Sequence, residues 1–162
     1  MSEECSGSCS SCGADCPSAG GSAQTTDFRA KLADISSVKH VYAVMSGKGG
    51  VGKSMVTSLL AASFQKKGYS TAILDADITG PSIPMAFGVD GQGLDVTPDG
   101  KLMMPVRSMN GTQIISANLL LQQNTDPIIW RGALISGAVQ QFWTETYWQD
   151  VDYMFVDMPP GT

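Results

Sequence analysis

Ser46-Gly47-Lys48-Gly49-Gly50-Val51-Gly52-Lys53-Ser54 is the stretch on which the fold turns. It follows Val41-Tyr42-Ala43-Val44-Met45, an apolar run that reads as a buried β-strand opened by His40. It precedes Met55 to Lys67, which reads as a helix. Met55, Leu59 and Ala62 form one row of that helix, and Val56, Leu60 and Phe64 the adjacent one. Gly68 stands where the helix would stop, behind Lys66 and Lys67 in its last turn. Glycines between a strand and a helix let backbone N–H groups converge on an anion, and the helix N-terminus adds a favourable field. Gly47, Gly52, Lys53 and Ser54 carry the G-x-x-x-x-G-K-S pattern, with Gly49, Gly50 and Val51 inside it, so the loop reads as a cradle for ATP phosphates. In that reading Lys53 reaches the β- and γ-phosphates, and the Ser54 hydroxyl completes a Mg²⁺ shell.

Two more strands end in carboxylates. Ser70 to Leu74 runs into Asp75-Ala76-Asp77-Ile78-Thr79-Gly80-Pro81-Ser82. Carboxylates at the C-terminal end of a parallel strand sit at the ligand-binding edge of an open α/β sheet. Asp77 is placed to orient an attacking water or hold a water on Mg²⁺, and Asp75 to brace the loop. An ordinary strand-ending Asx turn explains Asp-x-Asp as well. Tyr153-Met154-Phe155-Val156-Asp157 is an apolar strand ending in a carboxylate suited to water-mediated contact with Mg²⁺. Beyond it, Gly161 offers a backbone N–H toward a γ-phosphate, as switch loops do. Three such elements in this order predict an α/β P-loop NTPase, its mostly parallel sheet flanked by helices.

The intervening segment reads as structural. Thr97-Pro98-Asp99-Gly100 suits the turn of a hairpin within Leu94 to Met104, and Gln113 to Ala117 reads as a strand. Arg131 to Tyr147 reads as a helix, with Leu134, Ala138 and Phe142 on one face and Ile135, Val139 and Trp143 beside it. Met103, Met104 and the tryptophans read as packing rather than cofactor contacts. His40 is the single histidine, and no Ser/His/Asp or Cys/His machinery is visible.

The 162 residues, 43% hydrophobic and 15% charged, suit one domain with a real core. Net charge is −5, of which Glu3, Glu4 and Asp15 contribute −3, so the body is near neutral. Its lysines are scattered, which gives no nucleic-acid footprint. No apolar run approaches the ~18 residues of a membrane span, and no hydrophobic leader opens the chain. The expectation is a cytoplasmic protein with neither nucleic acid nor membrane as partner.

Residues 1–26 hold no branched aliphatic or aromatic residue after Met1 and read as a flexible extension, leaving 27–162 as the ATPase domain. All four cysteines lie in that tail: Cys5, Cys9, Cys12 and Cys16, spaced C-x₃-C-x₂-C-x₃-C. Thiolates this close can wrap one metal centre, and their density suits a 4Fe–4S cluster or tetrahedral Zn²⁺. Free thiols and redox disulfide chemistry stay open beside the metal reading, and spacing does not choose between cluster and zinc.

Lys48, next to the first glycine, resembles the deviant Walker A loop, x-K-G-G-x-G-K-S, of the MinD/nitrogenase-iron-protein group of ATPases. In that group the extra lysine reaches across a two-fold dimer to the partner's nucleotide. A cation supplied in trans neutralises charge on the transferred phosphoryl and couples hydrolysis to dimer geometry. Taken together, GKGGVGKS, LDADITGPSIP, IIWRGALISGAVQQFW and DYMFVDMPPGT closely resemble the Mrp/ApbC family of iron–sulfur cluster carrier ATPases, from about His40 to Thr162.

The resemblance implies a homodimeric ATPase that holds a cluster transiently and passes it to apo-proteins. Lys48, Lys53 and Asp77 would be its catalytic groups, and Ser54 and Asp157 its Mg²⁺ groups. The tail looks like the N-terminal extension of the eukaryotic cytosolic scaffold branch and of some anaerobe homologues; Cys9-x-x-Cys12 fits the scaffold branch, with shorter outer gaps. Family members continue past the equivalent of Thr162, through strands that cradle adenine and a C-x-x-C pair that bridges a cluster between subunits. An N-terminal fragment ending after the Walker B strand is therefore expected. A positioning ATPase of the MinD/ParA kind is the alternative, opposed by the cysteine tail and by Gly80-Pro81-Ser82-Ile83-Pro84. A metal-binding fragment that does not turn over ATP is the other.

Overall fold

A computed structural model of the chain describes residues 30–77, 82–121 and 135–160. Strand β1 (Val38–Val44) leads through the glycine-rich loop into helix α1 (Lys53–Lys66), followed by β2 (Thr71–Asp75) and α2 (Ser82–Ala86). The short strands β3 (Asp95–Val96), β4 (Met103–Met104) and β5 (Val106–Arg107) come next. Then come β6 (Gln113–Ser116), α3 (Ala117–Leu121), α4 (Ile135–Thr144) and β7 (Val151–Asp157).

The main sheet has the order β1-β7-β2-β6-β5. Its first four strands are parallel, and β5 runs antiparallel to β6. The last of the described strands thus inserts between the first two. Its register sets Asp157 beside Val44 on one side and beside Asp75 on the other. That insertion brings the ends of β1, β2 and β7, and the loops leaving them, to one edge of the sheet, where ligands bind in open α/β folds.

All residues of β2 and β6 are buried. Strands covered on both faces read as unbroken apolar runs, and Ala72-Ile73-Leu74 and Ile114-Ile115 are such runs. Helix α1 packs over β7 and β2, while α4 also packs against β2. Strand β1 departs from the buried strand expected. It is the sheet edge among the described residues, and Val41 and Tyr42 are 46% and 51% exposed. Apolar composition marks a strand but not its place in the order, which pairing partners far along the chain decide.

Helix α1 starts at Lys53, two residues before the expected Met55, and buries Lys53, Thr57 and Ala61. Leu60 and Phe64 pack at the side of the core, whereas Met55 is 67% and Leu59 55% exposed. The small residues Thr57 and Ala61 let the helix lie close on the sheet, which large side chains in that row would hold away. Phe64 sets its ring edge against Tyr153 and Phe155 at centroid distances of 4.6 and 5.5 Å. Gly68, at φ 91°, ends the helix in a Schellman turn: its N–H donates to Gln65 O at 2.9 Å, and Tyr69 N–H to Phe64 O at 3.2 Å.

The hairpin forms as expected, β3 pairing with β4 and Gly100 at φ 70° donating to Thr97 O at 2.7 Å. Helix α4 begins at Ile135; Arg131–Leu134 of the expected helix, and Trp130, lie outside the described residues. Trp148 and Phe142 are fully buried, with the Trp148 indole N–H on Phe142 O at 3.3 Å. The Trp143 N–H reaches Ala30 O at 2.8 Å. Both indoles and the buried Met103 serve packing. Among the described residues no helix is long and apolar enough to cross a membrane.

Candidate functional site

The loop between β1 and α1 is built for close approach from outside. Gly50 and Gly52 hold φ of 76° and 89°, a region costly for residues with a Cβ. A Cβ placed on Gly47, Gly49, Gly50 or Gly52 would meet no atom within 4 Å, so the glycines leave open space rather than fill a packing gap. Helix α1 has neither a side-chain cap nor an acid in its first turn. Its leading N–H groups have no helical acceptor, and the helix dipole favours an anion there. The loop opens on a cavity of about 900 Å³ whose lining includes Lys48, Lys53, Ser54, Asp77, Met109 and Pro160.

Charged groups meet at Lys53, one of the residues lining this cavity. Lys53 Nζ lies 2.7 Å from Asp157 Oδ1 and 3.5 Å from Asp77 Oδ2, with its side chain only 6% exposed. The Ser54 hydroxyl donates to Asp157 Oδ2 at 2.6 Å. Asp157 therefore holds both Walker side chains at once, and it is itself fully buried. A lysine, free amide groups, a hydroxyl and two carboxylates form a donor set that suits a polyphosphate with an oxygen-ligated Mg²⁺.

Asp75 sits one strand away and behaves differently. Its Oδ1 accepts the Asp77 N–H at 3.1 Å, an Asx turn, and its Oδ2 accepts the Ser116 hydroxyl at 2.8 Å. Burial raises its pKa to about 7, against the lowering effect of those two hydrogen bonds. Asp75 thus ties the start of the Asp77 loop to the end of β6.

Among the sequence-predicted residues, Lys53, Ser54, Asp77 and Asp157 converge within hydrogen-bonding or ion-pair reach. Lys48 lines the cavity, with its carbonyl accepting the Ser46 hydroxyl at 3.0 Å. Gly161 and Cys5, Cys9, Cys12 and Cys16 lie outside the described residues. Among those described, no group of three or more His, Cys, Asp or Glu could hold a metal ion. Two residues escaped the sequence reading. Thr57 touches Asp157 and could have been suspected from its place one helical turn after Lys53. Ser116 meets Asp75 only through the pairing of β2 with β6, for which no local signal exists.

The family described as ParA, NUBPL iron-transfer P-loop NTPase, matches residues 37–162. The chain belongs to this family. An iron-sulfur cluster carrier protein of Clostridium perfringens is 44% identical over 96% of this chain and 58% of its own length. One of Methanococcus maripaludis is 41% identical over 100% and 56%, respectively. The chain thus spans little more than half the length of these curated relatives. A nucleotide-binding protein of Archaeoglobus fulgidus, solved in complex with ADP, superposes with a TM-score of 0.64 at 39% identity. That match covers 76% of this chain and 46% of the other.

Proposed function

We propose that the chain is the nucleotide-binding part of an ATP-hydrolysing iron–sulfur cluster carrier of the cytoplasm. The carrier works as a homodimer and hands a 4Fe–4S cluster to apo-proteins. Residues 27–162 form its ATPase domain and 1–26 a cysteine tail. The observation that carries the reading is the meeting of Lys53, Ser54, Asp77 and Asp157 at the mouth of an open glycine loop. The names of the relatives support the cargo.

Lys53 and the loop amides of Gly47 to Ser54 bind the phosphates, and Ser54 and Asp157 would hold Mg²⁺. Bound there, the metal would neutralise charge on the phosphates. Asp77 orients the water that attacks the γ-phosphorus as its bond to the ADP oxygen breaks. Lys48 serves the partner's nucleotide, and Gly161 adds a backbone donor. Cys5, Cys9, Cys12 and Cys16 bind the cluster that is cargo, with zinc as the competing occupant.

The test takes the 162-residue chain, titrated with ATP in the presence of Mg²⁺ and then reconstituted anaerobically with iron and sulfide. Saturable nucleotide binding and about four irons per chain are expected. Iron uptake with no nucleotide binding would remove the ATPase half of the reading. One tight zinc with no iron would remove the cluster from the tail.

A further inference from the structure

Thr57 lies one helical turn beyond Lys53 with no exposed surface. Its Oγ1 is 3.0 Å from the Lys53 carbonyl and 3.1 Å from Asp157 Oδ1. A hydroxyl has one hydrogen, so it donates to only one of these acceptors at a time. The two acceptors differ in need. The Lys53 carbonyl already faces the Thr57 backbone N–H within the helix. Asp157 Oδ1 takes Lys53 Nζ at 2.7 Å, while Oδ2 is occupied by Ser54. When Lys53 turns to phosphate oxygens, a buried carboxylate oxygen loses its charged donor, and Thr57 is the hydroxyl already within reach.

We propose that Thr57 is a positioning residue that takes over Asp157 Oδ1 as Lys53 transfers to a bound nucleotide. The hydroxyl rotates from the Lys53 carbonyl to the carboxylate and keeps Asp157 in place. This rests on the nucleotide reading above. The consequence is asymmetric. With Lys53 on Asp157, losing the hydroxyl costs little, because both acceptors keep another donor. With Lys53 on phosphate, losing it strands a buried acceptor, and the penalty falls on binding rather than on folding.

The experiment compares wild type, Thr57→Val and Thr57→Ser in the full chain. Affinity for a fluorescent N-methylanthraniloyl-ADP with Mg²⁺ is measured beside the thermal midpoint. Valine keeps the branched shape, and serine keeps the hydroxyl. Thr57→Val is expected to bind about tenfold more weakly, the usual scale for a stranded buried acceptor. Its midpoint should stay within about 2 °C of wild type. Thr57→Ser should recover most of the affinity. Three results overturn the proposal: wild-type affinity in the valine variant, serine binding as weakly as valine, or a valine variant that has lost its fold. A wild type that binds no nucleotide would overturn the nucleotide reading itself, which is a different outcome from wild-type binding unchanged by Thr57→Val.

Discussion

Replacing Asp75 with Asn should make the protein more stable at alkaline pH, although it removes a native charge. Asp75 is 1% exposed, and burial lifts its pKa from 3.8 to about 7. Below pH 3.8 the carboxyl is protonated in both the folded and unfolded chain, and its charge contributes nothing. Between 3.8 and about 7 the folded chain holds a proton that the unfolded chain has released, so stability falls as pH rises. Above 7 the carboxyl is ionised in both states and the full penalty stands. At about 1.4 kcal/mol per pH unit, that interval amounts to about 4 kcal/mol. Asparagine keeps the bond from Asp77 N–H to Oδ1 and replaces the other with a reversed one, Nδ2 donating to Ser116 Oγ. The charge is the only part of the change that depends on pH.

Urea unfolding of wild type and Asp75→Asn, with EDTA and without nucleotide, from pH 5 to pH 8.5, measures the effect. The advantage of the Asn variant should widen by about 2 kcal/mol between pH 5 and 7 and then level off. A gap that does not change with pH would refute the reasoning. So would an Asn variant that is the less stable at pH 8.5, because Asp75 would then be ionised and compensated in the native state.

Lys48→Ala should leave single-subunit nucleotide affinity near wild type and mainly reduce turnover, read by ATP titration beside phosphate release; unchanged turnover in the variant, where wild type hydrolyses ATP as a dimer, would end the in-trans role. Asp77→Asn should lower kcat more than affinity, whereas Asp157→Asn should weaken Mg²⁺-nucleotide binding, because it also loses the charge that pairs with Lys53. Equal effects of the two on both quantities would erase the division of labour. Gly68→Ala should cost about 1 kcal/mol in urea unfolding, since alanine at φ 91° is strained, and should leave nucleotide affinity unaltered.

Some of this protein is written in contiguous residues. The glycine loop was legible because its requirements are local: Gly50 and Gly52 take positive φ, a strand precedes them and a helix follows. The stop at Gly68 and the turn at Gly100 are legible for the same reason, each needing a backbone conformation that glycine adopts cheaply. The strands ending in Asp75 and Asp157 were visible as apolar runs broken by a carboxylate.

Tertiary structure decided the rest. That β7 inserts between β1 and β2 follows from which strands find partners, and it alone brings Asp157 beside both Lys53 and Asp75. The exposure of β1, the burial of the Thr57–Ala61 row in place of Met55 and Leu59, and the bond from Ser116 to Asp75 have the same origin. Each depends on residues tens of positions away. Hydrophobic period tells a chain which faces can be buried. Only the assembled sheet determines which of them is, and which polar groups must then find each other out of water.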